Sequence, residues 1–203
     1  PAAFHLTRTL AALRDQTRAV DALTIVLCGG DERLRALAEE SGAEAVIAAP
    51  SRTGFAAALR LASRRIDGDA VWLLAQDVAP EPEALQRLAA ALETAPSVAI
   101  AVPKLVEWDD TTRIVSLGRS MTRFGAAVGL ADGEHDQGQH DGTDDVLGGD
   151  VRGILVHTAA WRELEGVDEA LAGADEGLDL GVRVRLAGGR VVLAPGARIA
   201  VAH

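Results

Sequence analysis

Over residues 21 to 105 short apolar runs alternate with stretches of helical period. "DALTIVLCGG" is a strand that runs into glycines, and "DERLRALAEESG" is a helix closed by Gly42. "AEAVIAAP" is the next strand, and "TGFAAALRLASRRIDG" the next helix, with Gly68 just past its end. "AVWLLAQD", "PEALQRLAAALETA" and "SVAIAVPKL" repeat the cycle of strand, helix and strand. Strands spaced by helices of this length are joined by right-handed crossovers, which predicts an α/β fold with a mainly parallel central sheet flanked by helices. The uninterrupted apolar run Ala70–Leu74 predicts a central strand covered on both faces. Ahead of this unit, Phe4, Leu6, Leu10 and Leu13 sit at helical spacing. Neither a GxGxxG fingerprint nor a P-loop is present.

From about Trp108 the pattern changes. "RIVSLGRSMTRFG" has the look of a hairpin, and Ala131 to Gly149 form a long polar loop rich in Gly, Asp and His. A loop of that length in a compact domain is commonly functional, and this one is expected over the carboxyl ends of the strands. "DVRGILVH" is then a strand, "TAAWRELEG" and "DEGLDLGVRVRLAGG" are helices, and "RVVLAPGARIAVAH" is one or two strands. No linker or repeat divides the 203 residues, so one domain is expected.

Composition excludes several classes of function. A net charge of -10 argues against nucleic acid as the partner, because phosphate backbones need a basic surface. The single cysteine, Cys28, excludes an internal disulfide; with no histidine partner placed by the sequence, it reads as a buried structural thiol. No apolar run reaches the roughly 18 residues of a membrane span. The chain starts at Pro1 rather than Met, and the expectation is a piece cut from a longer protein.

Asp77 stands where the strand Ala70–Leu74 ends and the helix signal Pro80-Glu81-Pro82-Glu83 begins. It is either a turn residue or a ligand-binding carboxylate, since open α/β sheets bind ligands at that edge. Asp175, Glu176 and Asp179 open an amphipathic helix, where acids complement the macrodipole. His135, Asp136, His140, Asp141, Asp144 and Asp145 crowd the long loop without matching a zinc spacing. Trp72 and Trp161 belong to the core, and Trp108 is a candidate platform for a sugar ring.

In this order the blocks resemble the family 2 glycosyltransferases of GT-A fold, in their actinobacterial form. "HLTRTLAALRDQTRAVDALTIVLCGG" is similar to the family's first helix and second strand, and "GFAAALRLA" to the helix before the donor strand. "VWLLAQDVAPEPEALQRLAAAL" resembles the strand, metal motif and helix; "DQGQHD" and "DVLGGDVRGILV" the acceptor-side loop and following strand. "GVDEAL" and "DEGLDLGVRVRLAGGRVVLAPGARI" are similar to the closing segment. The resemblance covers nearly the whole chain. It implies an inverting transfer of a sugar from a nucleotide-diphosphate donor to a cell-envelope glycan or lipid-linked acceptor. It also implies a cytoplasmic location at the inner face of the plasma membrane within a larger membrane protein. Mg²⁺ or Mn²⁺ would act as a Lewis acid on the leaving nucleotide.

Residue by residue, the resemblance puts Asp77, Gln76 and Gly153 at the donor, with Asp77 and His203 at the metal. Trp108, Asp136, His140 and Asp179 fall on the acceptor side. Glu176, or failing it Asp175, would take the proton from the acceptor hydroxyl. Several family positions are altered. The metal motif's first Asp is Ala75, and its middle position is Gln76. The Asp expected near Leu27-Cys28 is missing, the usual base is Gly177, and the first strand, ahead of His5, is absent. These changes also admit a GT-A domain that binds or assembles without catalysing.

Overall fold

The computed structural model describes residues 2–202. Helix α1 (Ala2–Arg14) buries Leu6, Thr9 and Leu10; of the stripe its spacing predicts, Leu13 is only partly buried and Phe4 is exposed. Strand β1 (Thr24–Cys28), α2 (Glu32–Glu39) and β2 (Ala45–Ala49) follow; β1 and β2 pair in parallel as a two-stranded sheet of their own. Asp31 caps α2, its side chain accepting the Leu34 N–H. Helix α3 (Phe55–Ala62) runs into a 3₁₀ turn at Ser63–Arg65, so it ends before the Gly68 that its pattern points to.

The remaining strands are β3 (Ala70–Trp72), β4 (Val78–Pro80), β5 (Val98–Glu107), β6 (Ile114–Leu117), β7 (Arg119–Met121), β8 (Ala127–Gly129), β9 (Leu155–His157) and β10 (Arg190–Val201). Helices α4 (Ala84–Leu92), α5 (Thr158–Glu163) and α6 (Glu176–Leu186) lie between them. The main sheet runs β3-β9-β5-β10-β4, with β6 beside β5. It is α/β as expected, but mixed rather than mainly parallel. β5 and β10 are parallel, and β3 shares their direction because β9 is antiparallel to both β3 and β5. β4, β6 and β9 run the other way. The strand expected at the centre is instead the terminal strand of this sheet: β3 pairs with β9 on one side alone among the described residues. The later segment β9 inserts between β3 and β5, an order that local periodicity does not carry.

The hairpin also differs from its expected place. β6 pairs with β5 and not with β7; β7 turns through Thr122–Ala126 to pair with β8.

The sheet is covered on both faces. Along β10, Val191 and Leu193 join Leu180 and Val184 of α6 and Trp161 of α5, whereas Val192 and Ala194 join Leu85, Leu88 and Leu92 of α4. The period-2 alternation of a doubly covered strand explains why Val191 to Ala194 of β10 reads as an uninterrupted apolar run. The C-terminal end of α1 ties down the turn after β4. Gln16 accepts the Leu85 N–H at the head of α4 and donates to the Glu81 carbonyl, so one of the helix's free donors is satisfied.

Candidate functional site

Asp77 follows β3 and is held by its backbone: its carbonyl accepts the Ala202 N–H at 2.9 Å. On either side of it, the Gln76 and Val78 carbonyls lie 2.8 and 2.7 Å from the Thr9 hydroxyl. Gln76 itself is exposed. The Asp77 carboxylate faces Arg152, whose Nη1 is 3.4 Å from Oδ2. Arg152 also makes a fork with Asp150, Nε to Oδ1 at 3.1 Å and Nη2 to Oδ2 at 2.8 Å. Those bonds to Asp150, and then the charge of Asp77, hold the guanidinium pKa above its ordinary value.

The segment carrying Arg152 is fixed on both sides. A Cβ on Gly149 would overlap Val102. Gly153, at φ +129, packs so closely that a Cβ would come 2.7 Å from Ile199 Cδ1. The Gly153 carbonyl accepts the Trp72 indole N–H at 2.9 Å, which locks the segment to β3.

A divalent metal does not fit the described residues at Asp77. Ala75 and Gln76 add no carboxylate, Arg152 already pairs with Asp77, and no group of three or more His, Cys, Asp or Glu side chains converges among the described residues. His203 lies outside the described residues.

On the acceptor side, Glu176 is buried at 5% exposure, and its Oε1 accepts the Gly173 N–H at 3.0 Å. The side chain is a local brace for the turn before α6. Asp175, with φ 54, is exposed at the head of that helix. Gly177 faces the backbone of Gly149, and a Cβ there would overlap the Gly149 carbonyl oxygen. Gly181 stands in the same relation to the Leu147 carbonyl, so the segment 147–151 lies directly on α6. Asp179 is engaged by Arg183 one turn on, at 2.8 Å from Nε.

The other predicted acceptor residues are dispersed. Asp136 pairs with Lys104 at 2.8 Å and also with Arg198; Lys104, 2% exposed, holds Asp141 at 2.8 Å too. Burial alone would raise the Asp136 pKa, but hydrogen bonds from Lys104, the Gly138 N–H and Arg198 bring it below the ordinary carboxylate value. His140 lies 3.2 Å from Glu134. Trp108 is half-buried under α1, with the Arg8 guanidinium 4.5 Å above its ring and His5 against its edge. The long loop is thus laced to the sheet, with further bridges of His135 to Arg113 and Asp145 to Val192. A cavity of about 600 Å³ opens beside the head of α4, against Arg87, Lys104, Asp136, Asp141 and Arg198, and Asp77 is not part of it.

Cys28 is exposed at the end of β1, which corrects the expectation of a buried thiol; partial desolvation still raises its pKa, so it is no activated nucleophile. Trp161 is core at 3% exposure, and Trp72 is half-buried. Sequence reasoning missed Arg152, Lys104 and Arg198. The available signal was the Asp-Val-Arg-Gly run at 150–153, where an acid two residues before an arginine can orient it.

Comparison with known proteins agrees with this architecture. The glycosyltransferase-like family 2 profile matches residues 3–203. No curated protein matches the chain. GalNAc-T7, solved with UDP, GalNAc and Mn²⁺, is similar at a TM-score of 0.76 and 13% identity, over 98% of this chain and 41% of that one. TarS of S. aureus is similar at 0.69 and 15%, over 100% and 35%. The mannosyltransferase PcManGT of Pyrobaculum calidifontis, solved with GDP-Man and Mn²⁺, is similar at 0.62 and 15%, over 99% and 53%. These are structures of GT-A fold, and this chain spans well under two thirds of each of them.

Proposed function

The chain belongs to the glycosyltransferase-like family 2, and from that premise we propose that it moves a sugar from a nucleotide-diphosphate donor to a glycan or lipid-linked acceptor of the cell envelope, with inversion. The match over residues 3–203 carries the reading. The donor lies along Asp77, Gln76 and Gly153, where the 147–153 segment meets the end of β3. Asp175 takes the acceptor's proton in preference to Glu176: it is exposed, whereas Glu176 is buried and bonded to Gly173. Trp108, Asp136, His140 and Asp179 would reach an acceptor through their exposed atoms, with Asp136 bringing its two cations along. The domain works at the inner face of the plasma membrane as part of a larger protein; no helix among its described residues is long and apolar enough to cross a membrane.

A second reading, a GT-A domain that binds or assembles without catalysing, is favoured by one observation. The family's base position is Gly177, and the backbone of Gly149 fills the space a side chain there would need.

A melting screen with UDP- and GDP-sugars, in EDTA and in Mn²⁺, tests the donor site. A ligand at a hundred times its Kd adds about 2.7 kcal/mol of stability. No shift with any nucleotide diphosphate would end the transferase reading and leave the non-catalytic one. Where a shift is seen, turnover separates them. Asp175→Asn is expected to lower donor hydrolysis about a hundredfold with binding kept; binding without any turnover in the unmodified protein selects the second.

A further inference from the structure

We infer that Arg152 occupies the place of the metal at Asp77, so that this carboxylate is paired by a built-in cation and is a poor ligand for Mg²⁺ or Mn²⁺. The proposal deepens the donor-site reading, but its first test stands without it.

Three observations carry the proposal. First, the Asp77 carboxylate has a cationic partner, Arg152 Nη1 at 3.4 Å, and the preceding positions, Ala75 and Gln76, supply no second acid. A divalent ion arriving at Asp77 meets a like charge within a few ångströms, and the other acid there, Asp150, is held by the same guanidinium. Second, Arg152 is not a loose surface arginine free to swing away. Asp150 grips it through Nε and Nη2, and accepts the Arg152 backbone N–H at 2.9 Å as well. Third, the segment bearing both residues is clamped by Gly149 on Val102 and by Gly153 under the Trp72 indole. A guanidinium has five N–H donors in a fixed fork. Two go to Asp150 and one to Asp77, leaving two for a donor phosphate on a side chain that is about a third exposed.

The experiment follows free Mn²⁺ by its paramagnetic resonance signal while protein is added, with no nucleotide present. Unmodified protein and Asp77→Asn are expected to behave alike, because Asp77 is already paired. Arg152→Gln is expected to bind Mn²⁺ about tenfold more tightly than the unmodified protein, the scale of one lost like-charge contact at a partly exposed site. Arg152→Gln with Asp77→Asn loses that gain, and Arg152→Lys, which keeps the charge, does not show it. The inference is overturned if Asp77→Asn weakens Mn²⁺ binding by the unmodified protein, a comparison that does not depend on any Arg152 variant folding. It is equally overturned if folded Arg152→Gln binds no more Mn²⁺ than its parent. In a second arm, UDP and GDP affinities in EDTA and in Mn²⁺ are expected to agree within about twofold. Binding that requires Mn²⁺ overturns the inference. Absence of binding in both buffers strikes the donor reading and leaves the Mn²⁺ titration to decide this one.

Discussion

Gly177 is closed to any side chain by sterics. A carboxylate there would fill the base position that the family resemblance implies, yet its Cβ would overlap the Gly149 carbonyl oxygen. Gly177→Asp should therefore cost about 3 kcal/mol in urea unfolding, as overpacked buried sites do, and bring no gain in donor hydrolysis. Asp136 makes the opposite kind of contribution. Its folded pKa lies below the ordinary value, so its pairing stabilises the protein above the unfolded carboxylate pKa and is lost as pH falls through the folded one. Unfolding experiments below about pH 4 should find stability falling more steeply in the parent than in Asp136→Asn, by roughly one proton's slope. At neutral pH Asp136→Ala should cost about 3 kcal/mol, since it removes the more buried of the two acids on Lys104. The tertiary partners of these residues are not written in the sequence. Lys104 and Asp136 are 32 positions apart and Asp77 and Arg152 are 75 apart, and a charged residue between apolar ones carries no mark of its partner.

At the scale of elements, the helices were legible and the strand order was not. The stripe of α4 and the Leu6–Leu10 part of that of α1 show in their spacing because a helix meets the core through its own period; Phe4 points to solvent. Strands β3 and β9 show only that they are apolar. Nothing local says that Leu155–His157 inserts antiparallel between β3 and β5, or that β6 turns its back on β7 to pair with β5. The long loop was legible as a loop, but its lacing to Lys104, Arg113 and Val192 is tertiary. Helix α6 shows the same limit, because its glycines look like weak helix formers until the 147–151 segment is seen lying on them. Helix propensity alone would make Gly181→Ala stabilising by about 1 kcal/mol. Overlap with the Leu147 carbonyl reverses that sign, and a melting temperature lower than the parent's is expected.

On the scale of the whole molecule, the α/β class and the family were legible, because they rest on the order of segments. The division of its strands was not. The β1–β2 pair forms its own sheet, its apolar residues are only partly covered, and β1 is paired on one edge alone among the described residues. β5 is buried almost throughout, and β10 over most of its length. Amide hydrogen exchange should therefore be at least about tenfold faster in Thr24–Cys28 and Ala45–Ala49 than in β5 and β10, and equal rates would refute a separate, weaker layer. The one cysteine of the chain sits at the end of that layer, exposed on β1. One thiol means one dye per molecule, attached at mildly alkaline pH because the thiol titrates high. A fluorophore on Cys28 would report on the small sheet alone, while the three indoles, Trp72, Trp108 and Trp161, all lie outside it, so each sheet of the unmodified chain already has its own optical handle.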